Sequence, residues 1–215
     1  MRIMARIFIS HSHHDREIAG EIKKRLASYG ASVFVAHDDI RPTQEWQDAI
    51  IDNLKTCDAF LALLTDRFAD SDWTDQETGI AVALDKVIIP IKIDLDPYGF
   101  IGKYQALRWS SDRDEGFKTL IRTLVEKNLV SADNVIDGFT HSHSFRNAEF
   151  NLDLVTAIPS FSKEQINKIA GGAILNNQIW NAAGAKLILE EFFARYSSTI
   201  DPEVMSQWKK LIGQK

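Results

Sequence analysis

The sequence predicts an α/β protein built on a parallel sheet, followed by a helical companion, and three observations carry that reading. Through roughly the first 130 residues, apolar runs of strand length alternate with segments of helical period, the pattern of repeated βαβ units. One of those runs, Ala59 to Leu64, is apolar throughout, as a strand covered on both faces should be. Past residue 148 only helical periodicity remains.

Arg6 to Ser10 reads as the first strand. Ile18, Ile22, Leu26 and Tyr29 then recur along one helical face, and Gly30 stands where that helix would end. Ser32 to Val35 is the second strand, and a charged loop holding Pro42 leads to a helix with Trp46, Ala49, Ile50 and Leu54 on one side. Ala59 to Leu64 is placed at the sheet centre, and a helix follows around Thr74 to Leu84. In the fourth strand, Val87 to Ile93, Pro90 points to an edge, a bulge or a strand end. Pro97 and two glycines make Asp94 to Gly102 a loop. A short fifth strand is expected at Leu107 to Trp109, and Phe117, Leu120, Ile121, Leu124 and Val125 mark an amphipathic closing helix.

The resulting organisation is a first domain over 1–130, a polar linker over 131–148 containing His141-Ser142-His143-Ser144, and a small all-helical C-terminal domain over 149–215. Ser162-Lys163-Glu164-Gln165 reads as a capping box opening a helix. A second helix holds Leu187, Ile188 and Phe192, and a third starts at Pro202. Phe192, Phe193 and Trp208 fall at spacings that favour a core.

The chain has 215 residues, 25 basic and 30 acidic, for a net charge of −5. Of these, 17 basic and 23 acidic residues lie before residue 141. Neither part has the basic excess of a phosphate-tracking surface, so no direct nucleic-acid partner is expected. The single cysteine, Cys57, excludes an internal disulfide and a cysteine-built zinc site and suits a cytoplasmic setting. No stretch approaches the ~20 apolar residues that span a bilayer, and the start does not read as a secretory signal, so no membrane partner is expected. The loop histidines His11, His13 and His14, with His141 and His143, are irregularly spaced and lack a cysteine partner, so no metal site is expected.

No glycine-rich phosphate loop follows any strand. In open parallel sheets, ligands sit beyond the carboxyl ends of the strands where strand order reverses. Those ends offer Ser10-His11-Ser12-His13, then His37-Asp38-Asp39-Ile40-Arg41, then Thr65-Asp66 with Trp73-Thr74-Asp75-Gln76-Glu77 beyond. A strand order of 2-1-3-4-5 would bring these loops to one cleft. Taken alone, Glu77 reads as the third position of a capping box opened by Thr74.

Phe8-Ile9-Ser10-His11-Ser12, the loop Asp38-Asp39-Ile40-Arg41-Pro42-Thr43 followed by Glu45-Trp46, and Trp73-x-x-x-Glu77 together resemble a prokaryotic TIR (Toll/interleukin-1 receptor) domain over about residues 4 to 127. The resemblance implies a flavodoxin-like five-stranded parallel sheet and, as in many bacterial members, cleavage of NAD at its nicotinamide N-glycosidic bond. NAD is then a substrate, with no prosthetic group. The resemblance places the catalytic glutamate at Glu77 and points to cofactor contacts from His11, Ser12, His13, Asp38, Arg41 and Trp46. In the first of those loops this chain departs from members with arginines. Hydrolysis to ADP-ribose and cyclisation remain equally open, because both use the same carboxylate. The resemblance also implies assembly with other TIR domains as a homo-oligomer or filament, and a role in anti-phage defence signalling. The alternative is a non-catalytic TIR interaction module. A phospho-receiver on the same scaffold is disfavoured, since strand one ends in Ser-His-Ser and strand five has no lysine.

Overall fold

The structure, a computed structural model, describes residues 4–35, 46–109 and 112–213. The chain divides into two compact units, Met1–Val130 and Ser131–Lys215. In the first, strands β1 (Arg6–Ser10), β2 (Ser32–Val35), β3 (Ala59–Leu64), β4 (Val87–Lys92) and β5 (Leu107–Arg108) form one parallel sheet in the order β2-β1-β3-β4-β5. This is the fold class and strand order expected from the sequence. Helices α1 (Arg16–Ala27), α2 (Trp46–Thr56), α3 (Asp72–Ala83) and α4 (Arg113–Glu126) connect and close it.

Side-chain alternation along the strands divides the core. Phe8 of β1 stacks on Phe60 of β3, ring centroids 5.7 Å apart, and both share a buried cluster with Ile50 and Leu54 of α2 and Ala81 of α3. Tyr29, just past α1, meets Phe117 of α4 at 6.0 Å, so these two helices are neighbours. Gly30 adopts φ of 77°, the left-handed conformation its position at the end of α1 suggested. Every residue of β3 is buried, as its unbroken apolar run requires.

Pro90 is neither at an edge nor at a strand end: it lies inside β4, opposite Ala62 of β3. The Ile93 amide bonds Leu64 O of β3, so alternation turns the Pro90 nitrogen toward the β5 side. There the β5 ladder begins only at Ile91 opposite Leu107, and no ladder bond is lost for want of a proline N–H.

The second unit is all helical: α5 (Ala132–Thr140), α6 (Phe145–Thr156), α7 (Lys163–Leu175), α8 (Asn177–Trp180), α9 (Lys186–Arg195) and α10 (Pro202–Gly213). The segment 131–148, expected to be a linker, is instead the start of this unit. α5 buries Val135, Ile136 and Phe139 on one face. The polar residues that suggested a linker are caps and turn residues. Ser131 Oγ accepts from the Asn134 amide, Ser144 Oγ accepts from the Asn147 amide, and buried Ser142 donates to Phe139 O at 2.7 Å. The capping box at Ser162 and Gln165 forms as its spacing implied. Phe193 and Trp208 stack at 4.2 Å with planes 5° apart, joining α9 to α10.

Candidate active site

In the order β2-β1-β3-β4-β5, the chain leaves β1 toward β2 and leaves β3 toward β4, so the strand order reverses between β1 and β3. A crevice at the carboxyl ends of these two strands is where such sheets bind ligands. Ser10 is the last residue of β1, and α3 follows β3. α3 buries Thr74, Glu77, Thr78 and Ala81, a stripe at helical spacing that carries a carboxylate inward among small residues.

Glu77 is 1% exposed. Its Oε2 accepts a hydrogen bond from Ser10 Oγ at 2.5 Å, and its Oε1 has no partner among the described residues. Burial pushes the Glu77 carboxyl up from its ordinary value to about 7, and the Ser10 hydrogen bond opposes that rise. A carboxylate whose pKa burial raises, beside the point where strand order reverses, is a functional-site candidate.

The surroundings hold this pair in place. Thr65, just past β3, donates to Asp15 Oδ2 at 2.8 Å, tying the loop after β1 to the end of β3. The Thr74 hydroxyl lies 2.6 Å from Phe68 O and 2.7 Å from Ser71 O, fastening the loop before α3 to its first turn. Thr74 is therefore inside the helix, whose N-cap is Ser71. The capping-box reading of Thr74 and Glu77 does not hold, because the N-cap lies three residues earlier, at Ser71, and Glu77 lies in the second turn.

Of the residues expected to contact cofactor, His11 and Ser12 are buried beside Ser10, with His11 Nδ1 2.7 Å from Ser12 O. His13 is exposed and opens the short 3-10 turn His13–Asp15. Asp38 and Arg41 lie outside the described residues, as does the loop of Pro42; Trp46 opens α2, and its side chain is likewise outside them. Trp73 packs against the core cluster. Ser10 was quoted within the first motif, but its part in holding Glu77 was not foreseen. A serine at the carboxyl end of the strand beside the switch point was the signal available. Among the described residues, no group of three or more His, Cys, Asp or Glu could hold a metal ion, and no helix is long and apolar enough to cross a membrane.

A parallel sheet whose strand order reverses between β1 and β3, with a shielded carboxylate beside the end of β1, defines the class: a doubly wound α/β protein. The family follows from comparison. A family model described as TIR domain matches residues 7–121, more than half of the chain, and the chain belongs to that family. A protein of Brachypodium distachyon named probable 2' cyclic ADP-D-ribose synthase BdTIR is 29% identical over 93 residues, covering 42% of this chain and 42% of that protein. The match thus spans less than half the length of that relative. The crystal structure of the TIR domain of the Toll-related receptor TRR-2 from Hydra magnipapillata is also similar, at 21% identity and a TM-score of 0.45, covering 57% of this chain and 93% of that one.

Proposed function

We propose that the first unit cleaves NAD at its nicotinamide N-glycosidic bond, as a hydrolase or cyclase, with Glu77 as the catalytic carboxylate. The observation that carries this reading is Glu77 itself: buried at the switch point, held through Oε2 by Ser10, with Oε1 unpartnered among the described residues. Loss of nicotinamide leaves a ribose with oxocarbenium-like positive charge, which a fixed carboxylate stabilises. Shielding from water strengthens that attraction. Oε1, which no described residue bonds, is assigned to a ribose hydroxyl. Nicotinamide departs from a cationic ring and needs no proton, so the second carboxylate of a typical glycosidase is dispensable. Water attacking the ribosyl carbon yields ADP-ribose, and an internal ribose hydroxyl or adenine nitrogen yields a cyclic product. The name of the Brachypodium relative supports the chemistry.

In this reading NAD is a substrate and no prosthetic group is required. The chain acts in the cytoplasm as a prokaryotic TIR protein of defence signalling, and self-assembly with other TIR domains switches activity on. The experiment is nicotinamide release from NAD by the full chain at high concentration, alongside Glu77→Gln. The expected result is release by the wild type and a loss of about 10²–10³ in the variant, the cost of removing one well-placed electrostatic stabiliser. A wild type that stays silent when assembled supports a non-catalytic interaction module instead, and equal release by both proteins removes Glu77 from the chemistry.

A further inference from the structure

One residue along from Glu77, α3 borders a cavity of about 600 Å³ that Glu77 does not line. Its walls include Phe68, Thr78, Tyr98, Phe100 and Ile101, with Asp75 beside them. The volume is within the range that encloses small organic ligands.

Thr78 is only 7% exposed, yet its Oγ1 has no hydrogen-bond partner among the described residues. A buried hydroxyl without a partner is unfavourable and uncommon. A helical threonine ordinarily returns its hydroxyl to a carbonyl one turn back, as Thr74 does to Ser71 O. Thr78 lines the cavity, but its Oγ1 is itself buried, so the unmet hydroxyl is not exposed on the cavity wall. Gly99, at φ of 53°, opens the turn Gly99–Ile101 in a conformation that side chains resist, and Phe100 next to it is 73% exposed at the cavity. The turn is anchored to α3 by Tyr98 Oη, which donates to Asp75 Oδ1 at 2.7 Å. Burial and the Asp75 carboxylate push the Tyr98 phenol above its ordinary range, so it stays a donor.

Among the described residues the lining holds no Lys, Arg or His, and its one charge is the Asp75 carboxylate. A phosphate or carboxylate ligand would meet no countercharge there. Aromatic faces attract a flat ring and a cation alike.

We propose that this cavity is a binding site for a small aromatic amine, its ring against Tyr98 and Phe100 and its ammonium on Asp75. The site does not depend on the role given to Glu77, since none of its lining residues belongs to that pair.

The test is calorimetric titration of the full chain at neutral pH with three probes sharing one ring: tyramine, the neutral 4-ethylphenol and the anionic 3-(4-hydroxyphenyl)propionate. Tyramine should saturate with a Kd of about 1 mM or tighter, in the range open to a ligand of about ten non-hydrogen atoms. The neutral probe should bind about tenfold more weakly, and the acid should not bind. Asp75→Asn should weaken tyramine about tenfold. Phe100→Ala, at an exposed position that spares the fold, should do likewise, while Glu77→Gln should leave binding unchanged. Absence of saturable tyramine binding, equal affinity for the neutral probe, or binding indifferent to Phe100→Ala would overturn the assignment.

Discussion

Ser10 Oγ donates to Glu77 Oε2 at 2.5 Å across 67 residues of sequence, joining the end of β1 to the buried face of α3. The bond favours the charged carboxylate, and burial favours the neutral acid; burial wins, leaving Glu77 at about 7. If the carboxylate stabilises an oxocarbenium, only the ionised form works, so NAD cleavage should rise with pH along a limb centred near 7. Ser10→Ala removes the donor that lowers the pKa, so the limb should move to higher pH. Ser10→Thr keeps a hydroxyl and should move it back. A pH–rate profile of the three proteins checks this, and an unmoved midpoint in Ser10→Ala would assign Ser10 a purely packing role.

The same burial makes Glu77 a pH-dependent cost to the fold. Its folded pKa, about 7, lies above the ordinary 4.5, so between these values the folded chain keeps a proton that the unfolded chain releases. Stability therefore falls as pH rises from about 4.5 to 7, and above 7 the deficit levels at about 3 kcal/mol. Glu77→Gln resembles the neutral acid and carries no such term. Thermal melts should show the variant equal to wild type near pH 4.5 and more stable at pH 8. A variant less stable than wild type at pH 8 contradicts the account.

The sheet was legible because each strand is a short apolar run between turn signals, and β3 announced its central place by having no polar residue at all. The second unit was only half legible. Residues 131–148 look like a linker when polarity is averaged, yet Val135, Ile136 and Phe139 form the buried face of α5, and serines at 131 and 144 are helix caps. Caps and linkers draw on the same residue types, so composition cannot separate them where the apolar stripe is only three residues. At the site, Glu77 was reached through a motif spanning Trp73 to Glu77. The expected strand order put Ser10 near the same cleft, but which side chain there would hold Glu77 is a matter of side-chain geometry that strand order alone does not specify.

In the second unit, the parallel stack of Phe193 on Trp208 is the join between α9 and α10. Both side chains are nearly fully buried, and truncating a buried aromatic costs about 3–5 kcal/mol. Trp208→Ala should therefore release α10 while leaving the first unit folded. Hydrogen exchange should show faster exchange in residues 202–213 with unchanged protection in β1 and β3. Unchanged protection of α10 would mean that this stack does not hold it.

Two adjacent glycines of α7 should respond oppositely to the same substitution. A Cβ at Gly171 meets nothing within 4 Å, whereas a Cβ at Gly172 would lie 2.7 Å from Thr140 Cβ and closer still to its Cγ2. Glycine inside a helix costs about 0.5–1 kcal/mol relative to alanine, so Gly171→Ala should raise stability by about that amount. Gly172→Ala gains the same propensity but drives α7 away from the end of α5, and such overpacking costs about 1–3 kcal/mol. The net change should be destabilising. Thr140→Ala removes the Cγ2 nearest the new methyl, so adding it to Gly172→Ala should recover part of the loss, giving a favourable coupling in a double-mutant cycle. Urea denaturation of the four proteins supplies the numbers. Gly171→Ala and Gly172→Ala shifting stability in the same direction would show that α5 and α7 do not pack this closely.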